Sequence, residues 1–193
     1  MSKHLLWIQI GLLLLAGLFT FASTRLDIPP LISTGLLCLS LFLFVGGMDM
    51  LVNRKMGFFT RQRNFGPREI YTGLPAQLWG LIFIFIGICV LVVSVCNLIL
   101  KGGMQEFWSI VLGTNWGLGI LLTCIGMVVL MMGIIRLMAG SGGYYTGWKD
   151  TIDRISGVIP ATIGVGLLVL GILLFIFPNL LKDFLDQVIN LFK

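Results

Sequence analysis

The chain has 193 residues, of which 58% are hydrophobic and only 11% charged, with a mean hydropathy of +1.03. Soluble domains carry about 25% charged residues, so this composition excludes an ordinary water-soluble globule. The net charge of +5 gathers in a few loops, which is a membrane-topology pattern and excludes nucleic acid as the expected partner.

Several apolar runs reach the roughly 20 residues that cross about 30 Å of hydrocarbon as a helix. The expected fold is therefore an all-α polytopic membrane protein with five transmembrane helices, a tandem helical-hairpin repeat and a C-terminal amphipathic helix. It forms one membrane domain, residues 1–193. Within it, 1–27 is an N-terminal anchor helix and turn, 28–100 the first hairpin, 101–177 the second, and 178–193 an interfacial tail.

Met1 to His4 is a polar start carrying Lys3, followed by the apolar run Leu5–Ala22. This run resembles a signal peptide, with Thr20-Phe21-Ala22 as a passable cleavage site; it is read here as an uncleaved anchor. Pro29 and Pro30 suit the first turn of a second helix, where no backbone donor is needed; that helix runs to about Val52. A polar stretch from Asn53 to Thr72 follows, with Arg54, Lys55, Arg61, Arg63 and Arg68 against a single acid, Glu69. A third helix is expected over Leu74–Leu100, ended by Lys101-Gly102-Gly103. Met104–Leu112 reads as an interfacial segment with Phe107 and Trp108 at headgroup level. The fourth span is Asn115–Met138, a second aromatic loop begins at Gly140–Gly143, and Ile155–Phe177 is the fifth span, ended by Pro178. In the tail, Leu181, Phe184, Leu185 and Val188 share one helical face and Lys182, Asp183 and Asp186 another, an amphipathic pattern for an interface.

Lys and Arg counts set the expected orientation. With the N-terminus inside, Lys3, Arg54, Lys55, Arg61, Arg63, Arg68, Arg136, Lys149 and Arg154 are cytoplasmic, and Arg25, Lys101, Lys182 and Lys193 are outside. That bias places both aromatic loops in the cytoplasm and the C-terminus on the far side. The expected location is the inner or plasma membrane.

The chain repeats itself. Gly73, Gly80 and Gly87 are spaced by seven, and so are Gly157, Gly164 and Gly171, eighty-four residues later. In the preceding helices Ser33, Ser40 and Gly47 correspond to Gly119, Gly126 and Gly133 at an offset of eighty-six. Gly57-Phe58-Phe59-Thr60 likewise matches Gly143-Tyr144-Tyr145-Thr146. Lipid tails are as apolar as leucine, so close approach at small residues, rather than apolarity, brings such helices together. Seven-residue spacing keeps one seam turned to one neighbour. Ser33, Ser40 and Gly47 are expected near Gly73, Gly80 and Gly87, and Gly119, Gly126 and Gly133 near Gly157, Gly164 and Gly171.

The segments GVIPATIGVGLLVLGILLFIFPNL and GLPAQLWGLIFIFIGICVL are similar to hairpin arms of the HdeD-type small membrane proteins. That resemblance implies a bacterial inner-membrane protein associated with stress or acid resistance, and it supplies no catalytic residues. The chain departs from the pattern in having five spans instead of six, no Trp-Pro turn, and an unusually long basic first loop.

Little in the chain suggests chemistry. His4 is the only histidine, which argues against a histidine-based metal or haem site. No acid or base lies near the centre of an apolar run, so no proton relay is visible. Cys38, Cys89, Cys96 and Cys124 all fall in apolar runs and read as packing residues. No catalytic residue, cofactor site or metal site is assigned, and no cofactor is expected. Asp49 and Arg136 sit late in their helices, near the cytoplasmic interface; either they pair across the repeats, or Arg136 snorkels to lipid phosphate and Asp49 is hydrated. Glu69 and Asp153 are read as caps of the helices that follow them.

The loops carry the candidate site. Arg54, Lys55, Phe58, Phe59, Arg61, Arg63 and Arg68, with Phe65 and Tyr71, interleave cations and rings; Tyr144, Tyr145 and Lys149 belong to the second loop. This pattern suits anionic lipid headgroups and equally an acidic partner. The expected function is that of a non-enzymatic scaffold or subunit of a membrane complex. Its partners are membrane lipids and a membrane protein or a second copy of itself. The alternative is a small passive transporter, channel or lipid-handling protein.

Overall fold

The computed structural model describes residues 3–26, 28–56, 71–100, 103–139 and 147–177, together with Asn179. Seven helices follow in order: α1 (Lys3–Leu26), α2 (Pro29–Asn53), α3 (Leu74–Ile99), α4 (Gly103–Gly113), α5 (Asn115–Ala139), α6 (Trp148–Ser156) and α7 (Val158–Ile176). Among the described residues five stretches are long and apolar enough to cross a membrane: Trp7–Leu26, Pro30–Asn53, Leu74–Ile99, Asn115–Ala139 and Asp150–Ile176. The chain is a multi-pass helical membrane protein. The C-terminal tail expected to be amphipathic lies outside the described residues, apart from Asn179.

Local chemistry sets the helix ends. Ile28 is extended and Pro29 and Pro30 open α2, where their missing N–H groups leave no acceptor wanting. At the other end Arg54 turns left-handed (φ 51°) and its N–H bonds the Met50 carbonyl at 3.0 Å, a helix stop of the αL type. Gly73, at φ +69°, supplies a conformation that costs a side chain energy, and Pro75 follows in the first turn of α3. Between α4 and α5 stands one residue, Thr114. Its hydroxyl donates to the Ile110 carbonyl at 2.7 Å and accepts from the Gly117 N–H at 3.0 Å, so it closes one helix and caps the next.

The last span differs from the expected Ile155–Phe177. Helical backbone begins earlier, at Trp148, and breaks at Gly157, whose φ of −65° and ψ of −21° keep the chain's direction. Pro160 has no N–H to offer the Ser156 carbonyl, which interrupts the ladder one turn below it. An Asp150–Arg154 pair four residues apart, at 2.9 Å, adds support to α6.

Packing follows chain order. The extensive contacts are α1 with α2, α2 with α3, and α5 with α7; α3 meets α5 over a smaller area, and α4 touches both of these. The spans thus form a row: α1, α2, α3, α5, α7. Each tight pair is built on glycine backbone. A Cβ added at Gly47 would lie 2.6 Å from the Gly80 carbonyl, and one at Gly80 2.7 Å from the Gly47 carbonyl. Along the same seam the Ser40 hydroxyl donates to the Gly87 carbonyl at 2.9 Å, and the Ser94 hydroxyl to the Ser33 carbonyl at 2.8 Å. The Asn97 amide donates to the Ser33 hydroxyl at 2.6 Å.

In the second pair a Cβ at Gly119 would lie 2.9 Å from the Gly171 carbonyl, one at Gly126 2.9 Å from that of Gly164, and one at Gly157 2.9 Å from that of Gly133. A side chain at any of these crossings would force the helices or their neighbours to shift, and small residues of this kind let membrane helices approach closely.

The two seams differ in register. Gly47 faces Gly80, but its counterpart Gly133 faces Gly157, which corresponds to Gly73 and not to Gly80. Relative to the first pair, α7 is slid along α5 by one heptad, about 10 Å at 1.5 Å per residue. Gly73 itself, expected in the α2–α3 seam, lies outside it: nothing lies within 4 Å of its would-be Cβ. Its role is the left-handed turn before α3, and Ser94 completes the stripe at the other end.

Between α3 and α5 lies a small core of Tyr71, Ala76, Ile82 and Ile135, with Trp79, Ile86, Val128 and Met131 packed around it.

Candidate functional site

Of the described basic residues, Arg54, Lys55, Arg136, Lys149 and Arg154 lie where α2 and α5 finish and α3 and α6 begin. The base of the first loop is closed by backbone. The Met56 N–H donates to the Tyr71 carbonyl at 3.0 Å and the Gly73 N–H to the Arg54 carbonyl at 2.8 Å, with Lys55 and Thr72 paired as an antiparallel bridge. Residues 54–56 and 71–73 are thereby held side by side in one narrow neck. Arg54 and Lys55 flank that neck and are both exposed. Phe58, Phe59, Arg61, Arg63 and Arg68 lie outside the described residues, as do Phe65, Glu69, Tyr144 and Tyr145. Lys149 is the second residue of α6.

Tyr71, expected among the headgroup-facing aromatics, is buried instead. Its ring lies 6.3 Å from that of Trp79, which in turn lies 6.4 Å from Phe83. The ring belongs to the core with Ala76, Ile82 and Ile135, while the Tyr71 carbonyl accepts from the Met56 N–H. The Trp79 indole N–H is buried and, among the described residues, makes no hydrogen bond. In sequence it looks like any aromatic residue near a helix start, and no local signal marks its burial.

Asp49 and Arg136 do not pair. Asp49 accepts from the Asn53 amide at 2.6 Å, one turn along α2, while Arg136 is exposed on α5. The row places α3 between their helices.

Asp153 does not cap α7. It lies inside α6, where its carbonyl accepts the Ser156 hydroxyl at 2.7 Å, and no side chain caps α7. Asp150 takes the acidic first-turn position of α6 instead, favoured by the positive helix start. Arg154 reaches the other way. Its Nη1 donates to the Met138 carbonyl at 3.2 Å, satisfying one of the open carbonyls at the end of α5.

The four cysteines are free; the thiols of Cys89 on α3 and Cys124 on α5 meet across the row. Among the described residues no three His, Cys, Asp or Glu side chains gather into a metal-holding group. The arrangement leaves two exposed cations, Arg54 and Lys55, beside a neck closed by backbone pairing.

No family model, curated protein or solved structure matches this chain. The HdeD-type resemblance rests on the glycine-heptad residues alone.

Proposed function

We propose that the chain is a non-enzymatic scaffold or subunit of a membrane complex in the inner or plasma membrane. Its basic cytoplasmic loops contact anionic lipid or an acidic partner. In this reading the two glycine-seamed pairs are a tandem repeat, the N-terminus is cytoplasmic, and 178–193 is an amphipathic helix on the far side. The stress association implied by the HdeD-type resemblance belongs to the same proposal.

The observation that carries the reading is the neck at Lys55 and Thr72. It holds Arg54 and Lys55 exposed beside the exit point of a stretch that also carries Arg61, Arg63 and Arg68. Each cation near an anionic leaflet contributes on the order of 1 kcal/mol, and fixing both ends of the stretch concentrates that attraction at one place. Orientation alone needs fewer charges, since the second loop has only Arg136, Lys149 and Arg154.

The test replaces Arg61, Arg63 and Arg68 with Gln, leaving Arg54 and Lys55 to orient the chain. Insertion is expected to survive while copurifying anionic lipid or partner falls, more steeply in high salt. Unchanged lipids and partners would reduce the stretch to a topology signal. Flux across liposomes holding the purified protein separates this function from passive transport.

A further inference from the structure

We infer that α6 is a membrane-seated helix: its outer face is a lipid-contact surface in the leaflet at the basic-loop end, and not a water-exposed part of the loop. This stands independently of the loop reading above.

The first observation is a stripe. Trp148, Ile152 and Ile155 recur at the spacing of one helical face and are 77%, 50% and 62% exposed. Among the described residues, nothing covers them. The stripe does not stop at Gly157. It runs on through Ile159 and Ile163 of α7, which are exposed on a membrane-spanning helix and therefore face acyl chains. Because Gly157 keeps helical angles, one apolar face passes from the span into α6.

The second observation is depth. The one-heptad slide of α7 raises α6 to the level that the start of α3 would otherwise occupy. Arg154 fixes that level, because its bond to the Met138 carbonyl holds α6 beside the last turn of α5, and Met138 lies within the span Asn115–Ala139. The ion pair with Asp150 removes one charge of each sign from the face opposite the stripe. A helix with an apolar stripe, a tryptophan at its outer end and internally paired charges matches the chemistry of the headgroup–acyl boundary. The occupant is phospholipid.

Tryptophan fluorescence tests this in the intact chain, reconstituted in phosphatidylcholine/phosphatidylglycerol liposomes. The difference in emission between wild type and Trp148→Phe isolates Trp148 from the other four tryptophans. Phospholipid brominated near the carbonyl end of its chains should quench that signal at least twofold, while aqueous iodide barely quenches it. Iodide quenching as strong as for free indole, with no effect of brominated lipid, would overturn the proposal. So would protection from both quenchers, which would assign the face to a second copy or a protein partner. Ile152→Asp gives a second measurement that does not depend on Trp148→Phe folding. It leaves both glycine seams alone and should raise iodide quenching several-fold relative to wild type. Unchanged quenching would equally count against a lipid-seated face.

Discussion

Two glycines two residues apart on α7 provide a controlled test of the α5–α7 seam. A Cβ at Gly164 would lie 2.6 Å from the Leu130 Cα and 2.8 Å from the Leu130 Cβ, and would also meet the Leu130 nitrogen; a Cβ at Gly166 would meet nothing within 4 Å. Replacing either with Ala gains the same helix propensity, about 1 kcal/mol, so the difference between the two variants isolates the contact. Ordinary carbon contacts sit at about 3.5–4.0 Å, so Gly164→Ala must part α5 and α7 by on the order of 1 Å. A gap of that size forfeits about a quarter to a half of the dispersion attraction of each neighbouring contact. Overpacking of this kind costs about 1–3 kcal/mol. Gly166→Ala is expected to match or exceed wild type, with Gly164→Ala about 1–3 kcal/mol below it. Reversible unfolding in mixed micelles, followed by far-UV circular dichroism, reads the difference. Equal midpoints and slopes for the two variants would refute the claim that backbone contact at Gly164 holds the pair.

The serine keys of the first seam are weaker. Ser94→Ala, which removes the bond to the Ser33 carbonyl, should cost about 0.6 kcal/mol, typical of interhelical hydrogen bonds in membranes, and a double mutant with Asn97→Leu should show coupling through Ser33. The partly exposed Arg154 pair should matter less: Arg154→Gln is expected to shift stability by under about 1 kcal/mol in the same unfolding assay. Reporters fused after Gln62 and at Lys193 should fall on opposite sides of the membrane; finding both on one side would defeat the five-span topology.

The five spans are legible in the sequence because apolar runs of this length have few other uses. Register is not legible, for a physical reason. A stripe repeating every seven residues looks the same after a seven-residue slide, so glycines alone cannot say which Gly faces Gly47. The information sits in polar side chains that break the translational symmetry: Ser94 and Asn97 both bind Ser33 and exclude the other register. The break at Gly157 was equally hidden, since WKDTIDRIS reads as polar loop until its Asp150–Arg154 pairing and its stripe are seen together. Of the candidate site, the neck at Lys55 and Thr72 depends on backbone pairing between residues seventeen apart in sequence, and Tyr71 is buried by packing against Ala76, Ile82 and Ile135, the last of them on a distant helix. Phe58, Phe59, Arg61, Arg63, Arg68, Tyr144 and Tyr145 stand on the sequence pattern alone.

The row of spans also bears on how the protein is made. Almost every extensive contact joins a span to the one synthesised just before it, so contact order is low and little loop entropy stands between emergence and packing. Once residue 100 has left the ribosome, α2 and α3 already possess every group of their seam, including the Ser33, Ser94 and Asn97 keys. The second pair can then close without disturbing the first, and only the small contact between α3 and α5 needs both. A nascent chain arrested beyond α3 should already hold a locked hairpin in the bilayer.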